Sequence, residues 1–229
     1  MPHISRNKYL LSLMVLLILP RPSFALPAIT CHCFTERSYE PAHPATADPY
    51  FLATTQNSFF AVIFNVDKKT IVMKKQQGTS PDDLWIAYWV AAKSALAPDT
   101  LLQAKQKDET WNAFLTSRRL TQNALGTRFL NCLNAKSSSV QLAGAVVEEL
   151  FLSHHLLGDT ELAAVRKAGA SNQELIIATV IAAKTGQPAR QVYLDVKNGS
   201  KTWGSLLTWA NIDTKNMQQE ISRSLKLHQ

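Results

Sequence analysis

From residue 49 onward, apolar positions fall into blocks whose edges carry serine, proline or glycine. Residues 50–66 include Phe59-Phe60-Ala61-Val62-Ile63-Phe64, which in isolation reads as a buried strand. Residues 141–157, rich in Ala, Leu and Glu, read as a helix. Two further blocks, 84–92 and 175–183, are apolar almost all round and predict helices without a polar face, which belong in a core. Each follows a glycine (Gly78, Gly169) placed to stop the preceding short helix, 69–77 or 160–168, and then a serine, Ser80 or Ser171. With Asp83 and Glu174 three residues on, each serine predicts a capping box.

These blocks keep a fixed offset. Gly78, Ser80, Leu84, Ile86, Ala87, Ala91, Ala92 and Lys93 match Gly169, Ser171, Leu175, Ile177, Ala178, Ala182, Ala183 and Lys184, all 91 positions apart. After a one-residue slip, Lys105, Thr110, Trp111, Leu115 and Thr116 match Lys197, Thr202, Trp203, Leu207 and Thr208. Agreement over that length predicts a duplicated unit. It also assigns 50–66 to a helix, because its counterpart 141–157 is one. Further helices are expected at 99–107 and 189–197, with a tryptophan (Trp111, Trp203) pinning a last helix, 120–133 or 213–227, onto the central one. Alanines four apart (87 and 91, 178 and 182) share a helix face and allow close approach.

The expected fold is therefore all-α: two tandem copies of a similar multi-helix unit, packed through their central helices into one body. Unit 1 would span 49–135, a linker 136–140 and unit 2 141–229. Residues 1–25 are laid out as a secretory signal: Arg6 and Lys8, the apolar run from Leu10 to Leu19, then Ser23-Phe24-Ala25 before the cut. Ala28 offers a second cut position. The apolar run is too short to span a bilayer, which takes about 20 residues. Residues 26–48, with Pro27, Pro41 and Pro44, read as an extended arm. Losing Arg6, Lys8 and Arg21 lowers the net charge of +7 to +4, a mild balance that does not call for nucleic acid.

The arm carries Cys31-His32-Cys33; the only other cysteine is Cys132. In an oxidising compartment the expected arrangement joins Cys132 to Cys31 or Cys33. A metal site on Cys31, His32, Cys33 and His43 and free thiols are the alternatives. No cofactor is expected, and covalent haem is excluded because no Cys-X-X-Cys-His occurs.

Glu148, Glu149, His154 and His155 form the most chemical-looking cluster, with Glu148 and His155 seven apart on the expected helix. Their spacing is not that of a helical metal motif. His154 and His155 stand where unit 1 has Ile63 and Phe64, which predicts partly buried, hydrogen-bonded histidines. Trp85, Tyr88 and Trp89 occur only in unit 1; they read as core or inter-unit packing, with an aromatic ligand groove as the other use. No nucleophile elbow, Walker loop or dinucleotide fingerprint is present. Asn198-Gly199-Ser200 fits a glycosylation acceptor but is better explained as a turn.

Cys31-His32-Cys33-Phe34, Asp48-Pro49-Tyr50-Phe51-Leu52, Gly78 to Trp85 and the turn from Lys197 to Gly204 resemble a family of exported helical proteins of Gram-negative bacteria. That resemblance implies no catalytic residues. The expected function is binding or scaffolding in the cell envelope, with an envelope protein or small ligand as partner. A metal-dependent or hydrolytic periplasmic enzyme using Glu148, His154, His155 and the cysteine arm is the other reading.

Overall fold

The computed structural model describes residues 47–105, 110–120 and 123–226. The signal, almost all of the arm and the residues Cys31, His32, Cys33 and His43 lie outside them. Among the described residues every regular element is a helix. The first six are α1 (Asp48–Phe64), α2 (Lys68–Gln76), α3 (Pro81–Ala92), α4 (Pro98–Lys105), α5 (Trp111–Ser117) and α6 (Thr127–Asn134). The next six are α7 (Ser139–Ser153), α8 (Asp159–Lys167), α9 (Asn172–Thr185), α10 (Ala189–Lys197), α11 (Trp203–Trp209) and α12 (Met217–Ser224). None is long and apolar enough to cross a membrane.

Local chemistry explains most boundaries. Pro49 sits in the first turn of α1, where its missing N–H costs nothing, and α1 ends at Asn65 in the left-handed region (φ 49°). Gly78 (φ 92°) and Gly169 (φ 102°) follow α2 and α8, as their sequence positions predict. Ser171 and Glu174 form the full capping box of α9. In α3 the box is incomplete: Ser80 accepts from the Asp82 N–H, while the Asp83 carboxylate accepts from Trp111 Nε1 at 2.6 Å. Aspartate is one methylene shorter than glutamate, and the indole offers it a partner outside its own helix. That bond ties the start of α5 to the start of α3.

Three expected boundaries change. The helix expected at 120–133 is a 3-10 turn at Asn123–Leu125 followed by the shorter α6, because Gly126 (φ 84°, ψ 150°) breaks the chain between them. The helix expected at 213–227 is likewise reduced to α12. The linker expected at 136–140 is shortened at its end: Ser138 and Gln141 form a capping box, and α7 begins at Ser139.

Packing combines neighbouring helices with pairs far apart in sequence. α3 packs on α7, which also packs on α6; α1 packs on α9 and α12, with smaller contacts to α2 and α11. α3 therefore packs chiefly on α7, and α9 on α1 and α10 alike, where direct packing of α3 on α9 was expected. α3 buries Leu84 to Val90 and α9 buries Leu175 to Ile181 without a gap, as helices without a polar face require.

Covered by several helices, α1 is buried from Ala53 through Val62, including the polar run Thr54-Thr55-Gln56-Asn57-Ser58. Those polar groups need partners in the interior. Thr55 Oγ1 donates to its own helix at the Phe51 carbonyl (2.7 Å), and Gln173 Nε2 of α9 donates to Gln56 Oε1 (2.8 Å). At the start of α1 the Asp48 carboxylate accepts from the backbone N–H of Trp203 (3.1 Å) and Gly204 (3.0 Å), capping α11 from 155 residues away. Burial holds this carboxyl above the usual aspartate range, and the two donors offset only part of that effect.

Candidate functional site

Two polar links join neighbouring helices at matching places. In α7, Glu148 Oε1 accepts from Arg166 Nε of α8 (2.9 Å) and Oε2 from Arg128 Nη1 of α6 (3.4 Å). In α1, Asn57 Oδ1 accepts from Lys75 Nζ of α2 (2.6 Å). Residues 57 and 75 lie 91 positions before 148 and 166. Arg166 satisfies three further acceptors: the Ala170 carbonyl (3.0 Å), the Gly144 carbonyl (3.5 Å) and Asn172 Oδ1 (2.6 Å). Glu149 accepts from the Arg128 N–H (2.6 Å) and so serves the N-terminus of α6, whose own cap position is Gly126. The two acidic side chains are thus engaged in holding α6, α7, α8 and the start of α9 together.

His154 and His155 do not share a face with Glu148. α7 ends at Ser153, His154 is its C-cap and His155 is left-handed (φ 53°). Both are exposed, which overturns the expectation of partly buried histidines. The physical reason is the helix end: Ile63 still lies within α1, whereas α7 has stopped one residue before His154. Such desolvation as the exposed ring meets at the end of α7, with the charges of Lys93 and His155, holds the His154 pKa below its ordinary value. Cys132, on α6, is partly buried, and its expected partners Cys31 and Cys33 lie outside the described residues. Among the described residues no group of three or more His, Cys, Asp or Glu side chains is placed to hold a metal ion.

Trp85, Tyr88 and Trp89 are buried. Phe60 stacks at 4.6 Å from Trp85 and 5.0 Å from Tyr88, Phe64 lies 5.7 Å from Tyr88, and Trp89 Nε1 donates to the Leu125 carbonyl (3.0 Å). The positions 91 further on than Phe60, Phe64, Trp85 and Tyr88 hold Phe151, His155, Ile176 and Thr179. Large rings are thus replaced by an exposed imidazole and two smaller side chains. Beside Thr179 the structure has an open groove of about 360 Å³, at the end of α9 between the α7–α8 and α9–α10 turns. Leu156, Leu157, Ala182, Ala183 and Pro188 supply its apolar wall, and Glu161, Thr179 and Gln187 its polar groups. That volume lies within the roughly 300–1,000 Å³ of small-molecule sites. Gly186 (φ 76°, ψ 2°) ends α9 and turns the chain around the rim.

Each polar group of the groove retains acceptor capacity. Glu161 Oε1 accepts from the Ala189 N–H at the start of α10 (2.7 Å). Thr179 Oγ1 donates to the Leu175 carbonyl (2.8 Å). Gln187 Oε1 is buried and has no hydrogen-bond partner among the described residues. Sequence reasoning did not find this groove. Its trace was the size mismatch between Tyr88 and Thr179, 91 positions apart in two apolar helices.

Lys75 gives the polar links a pH signature. Burial pushes its ammonium from 10.5 down to about 8, and Asp82 offsets only part of this. Between those values the unfolded chain binds more protons than the folded one, so stability is expected to rise as pH goes from 8 toward 10.5. Urea unfolding at stepped pH checks this. Lys75→Met should flatten the rise, and an unchanged slope in that variant would assign it to other groups.

No protein-family model, curated protein or solved structure matches this chain.

Proposed function

We propose that the chain is an exported helical binding or scaffolding protein of the bacterial cell envelope, made of two tandem copies of one unit, which takes a small ligand in the groove at the end of α9. The observation that carries this reading is the groove itself, lying where one unit has Thr179 and the other fills the equivalent place with Tyr88. Duplication followed by loss of a ring in one copy is a direct way to open a pocket in a helical body whose scaffold the other copy preserves. Export is motivated by the signal-like residues 1–25.

The duplication is supported by more than the matched residues. Helices α1 to α6 have 17, 9, 12, 8, 7 and 8 residues, and α7 to α12 have 15, 9, 14, 9, 7 and 8. The packing is reciprocal: α7 covers α3 and α6, and α1 covers their counterparts α9 and α12. Each unit would thus lend its first helix to the other, making one interlocked body. Binding is favoured over catalysis because Glu148 and Glu149 already bridge helices.

Two measurements test the proposal. Protein recovered from the periplasm of a Gram-negative host should begin at Leu26. In the purified mature chain, cyclohexylmethanol should shift the NMR signals of Leu156, Leu157 and Ala182, and Thr179→Tyr should abolish those shifts while keeping the fold. Equal shifts in the variant, or shifts confined to other helices, would remove the groove from the proposal.

A further inference from the structure

The structure assigns the groove at the end of α9 to a small ligand that carries a primary ammonium on an apolar body. This deepens the binding reading of the same groove by naming its chemical class. All three polar side chains on the groove wall offer oxygen acceptors. Glu161 gives one carboxylate oxygen to the Ala189 N–H and makes no ion pair among the described residues. Gln187 Oε1 is buried without a donor, and Thr179 spends its proton on the Leu175 carbonyl, leaving its oxygen lone pairs. An ammonium group has only donors, which suits a wall whose one charged side chain, Glu161, is an acceptor. A carboxylate would add further acceptors to a site already rich in them.

The charge balance agrees. Glu161 is the only ionisable side chain lining the groove. Lys184, next to the lining residue Ala183, is committed to Glu220 at 3.0 Å. The groove lies at the C-terminal end of α9, a 14-residue helix, and beside the N-terminal turns of α8 and α10, whose opposite partial charges leave Glu161 as its only full charge. Leu156, Leu157, Ala182, Ala183 and Pro188 then leave an apolar wall for the remainder of the ligand. A neutral donor such as an alcohol could reach one of the acceptors but would not neutralise the carboxylate.

Three probes with one body separate the possibilities: cyclohexylmethylammonium, cyclohexylmethanol and cyclohexanecarboxylate, titrated into the mature chain and followed by NMR. The ammonium should bind at least about tenfold more tightly than the alcohol, the scale of one charge-assisted hydrogen bond, and the carboxylate most weakly. Glu161→Gln keeps an oxygen for the Ala189 N–H and should reduce ammonium affinity about tenfold while leaving the alcohol unchanged. Gln187→Leu should weaken the ammonium as well, and thermal melts of both variants establish that they fold. Equal binding of ammonium and alcohol, or an ammonium affinity indifferent to Glu161→Gln, would overturn the ammonium assignment and leave the groove standing. If none of the probes shifts the groove signals, the assignment and the groove reading fail together.

Discussion

Gly126→Ala is expected to destabilise the protein by about 3 kcal/mol or more. Two costs combine. Gly126 has φ 84° and ψ 150°, a region that residues with a Cβ essentially do not enter. A Cβ there would also run into the Glu149 carboxylate, which must stay close because it accepts from the Arg128 N–H at the start of α6. Moving Glu149 away would leave α6 without its side-chain acceptor, a loss of about 1 kcal/mol by itself. Gly199→Ala is the control. It has φ 73° and nothing within 4 Å of the new methyl, so only the backbone cost of about 1 kcal/mol applies. Urea unfolding of both variants measures the difference, and equal midpoints would mean that Glu149 does not hold α6 as described.

Arg166→Ala should cost about 3 kcal/mol, because removing one partner of a largely buried pair leaves the other desolvated and unpaired. Its side chain is 19% exposed and that of Glu148 is 23% exposed. The guanidinium spans Glu148, Asn172 and two carbonyls, so α7, α8 and α9 all lose an anchor. Arg166→Lys should recover only part of the loss, since a compact ammonium cannot reach four acceptors set out for a planar fork. A double-mutant cycle with Glu148→Gln isolates the pair itself. A coupling energy near zero would show that Arg166 acts through the carbonyls alone. The same variants bear on the enzyme reading: turnover lost on substituting Glu148, in protein that remained folded, would count against a purely structural role.

Much of the architecture was legible because it is written locally. Gly78, Gly169 and Gly186 stop helices where their positions say they should, and Ser171 with Glu174 completes its box. The strand-like run Phe59 to Phe64 is helical, as its counterpart in 141–157 implied. Other features depend on what comes near in space. The burial of Thr54 to Ser58 could not be read from composition, because it follows from α9, α12 and α2 converging on α1. The capping of α11 by Asp48 is a contact across 155 residues. Asp83 looked like half of a capping box until the Trp111 indole is seen to take its carboxylate. The histidines were misjudged by one turn, since the pattern of apolar positions does not say where α7 stops.

The groove was legible only as a difference. Each of α3 and α9 taken alone shows an apolar helix, and neither Thr179 nor Tyr88 stands out within it. The change in volume between them carries the information, and Thr179 lies on the wall of the groove.

The seating of α1 sets a timetable for folding. During synthesis α1 emerges well over a hundred residues before α9 and α12, the helices that cover it. Phe59 and Phe60 can meet Trp85 of α3 early, but the part of α1 that packs on α9 and α12 stays uncovered until most of the described chain has been made, whereas α3 receives α7 sooner. Such late closure is slow and leaves an interval in which the waiting helix can associate with other chains. On the export reading proposed above the delay has a use: a chain that cannot finish its core before α12 has been made remains threadable until then.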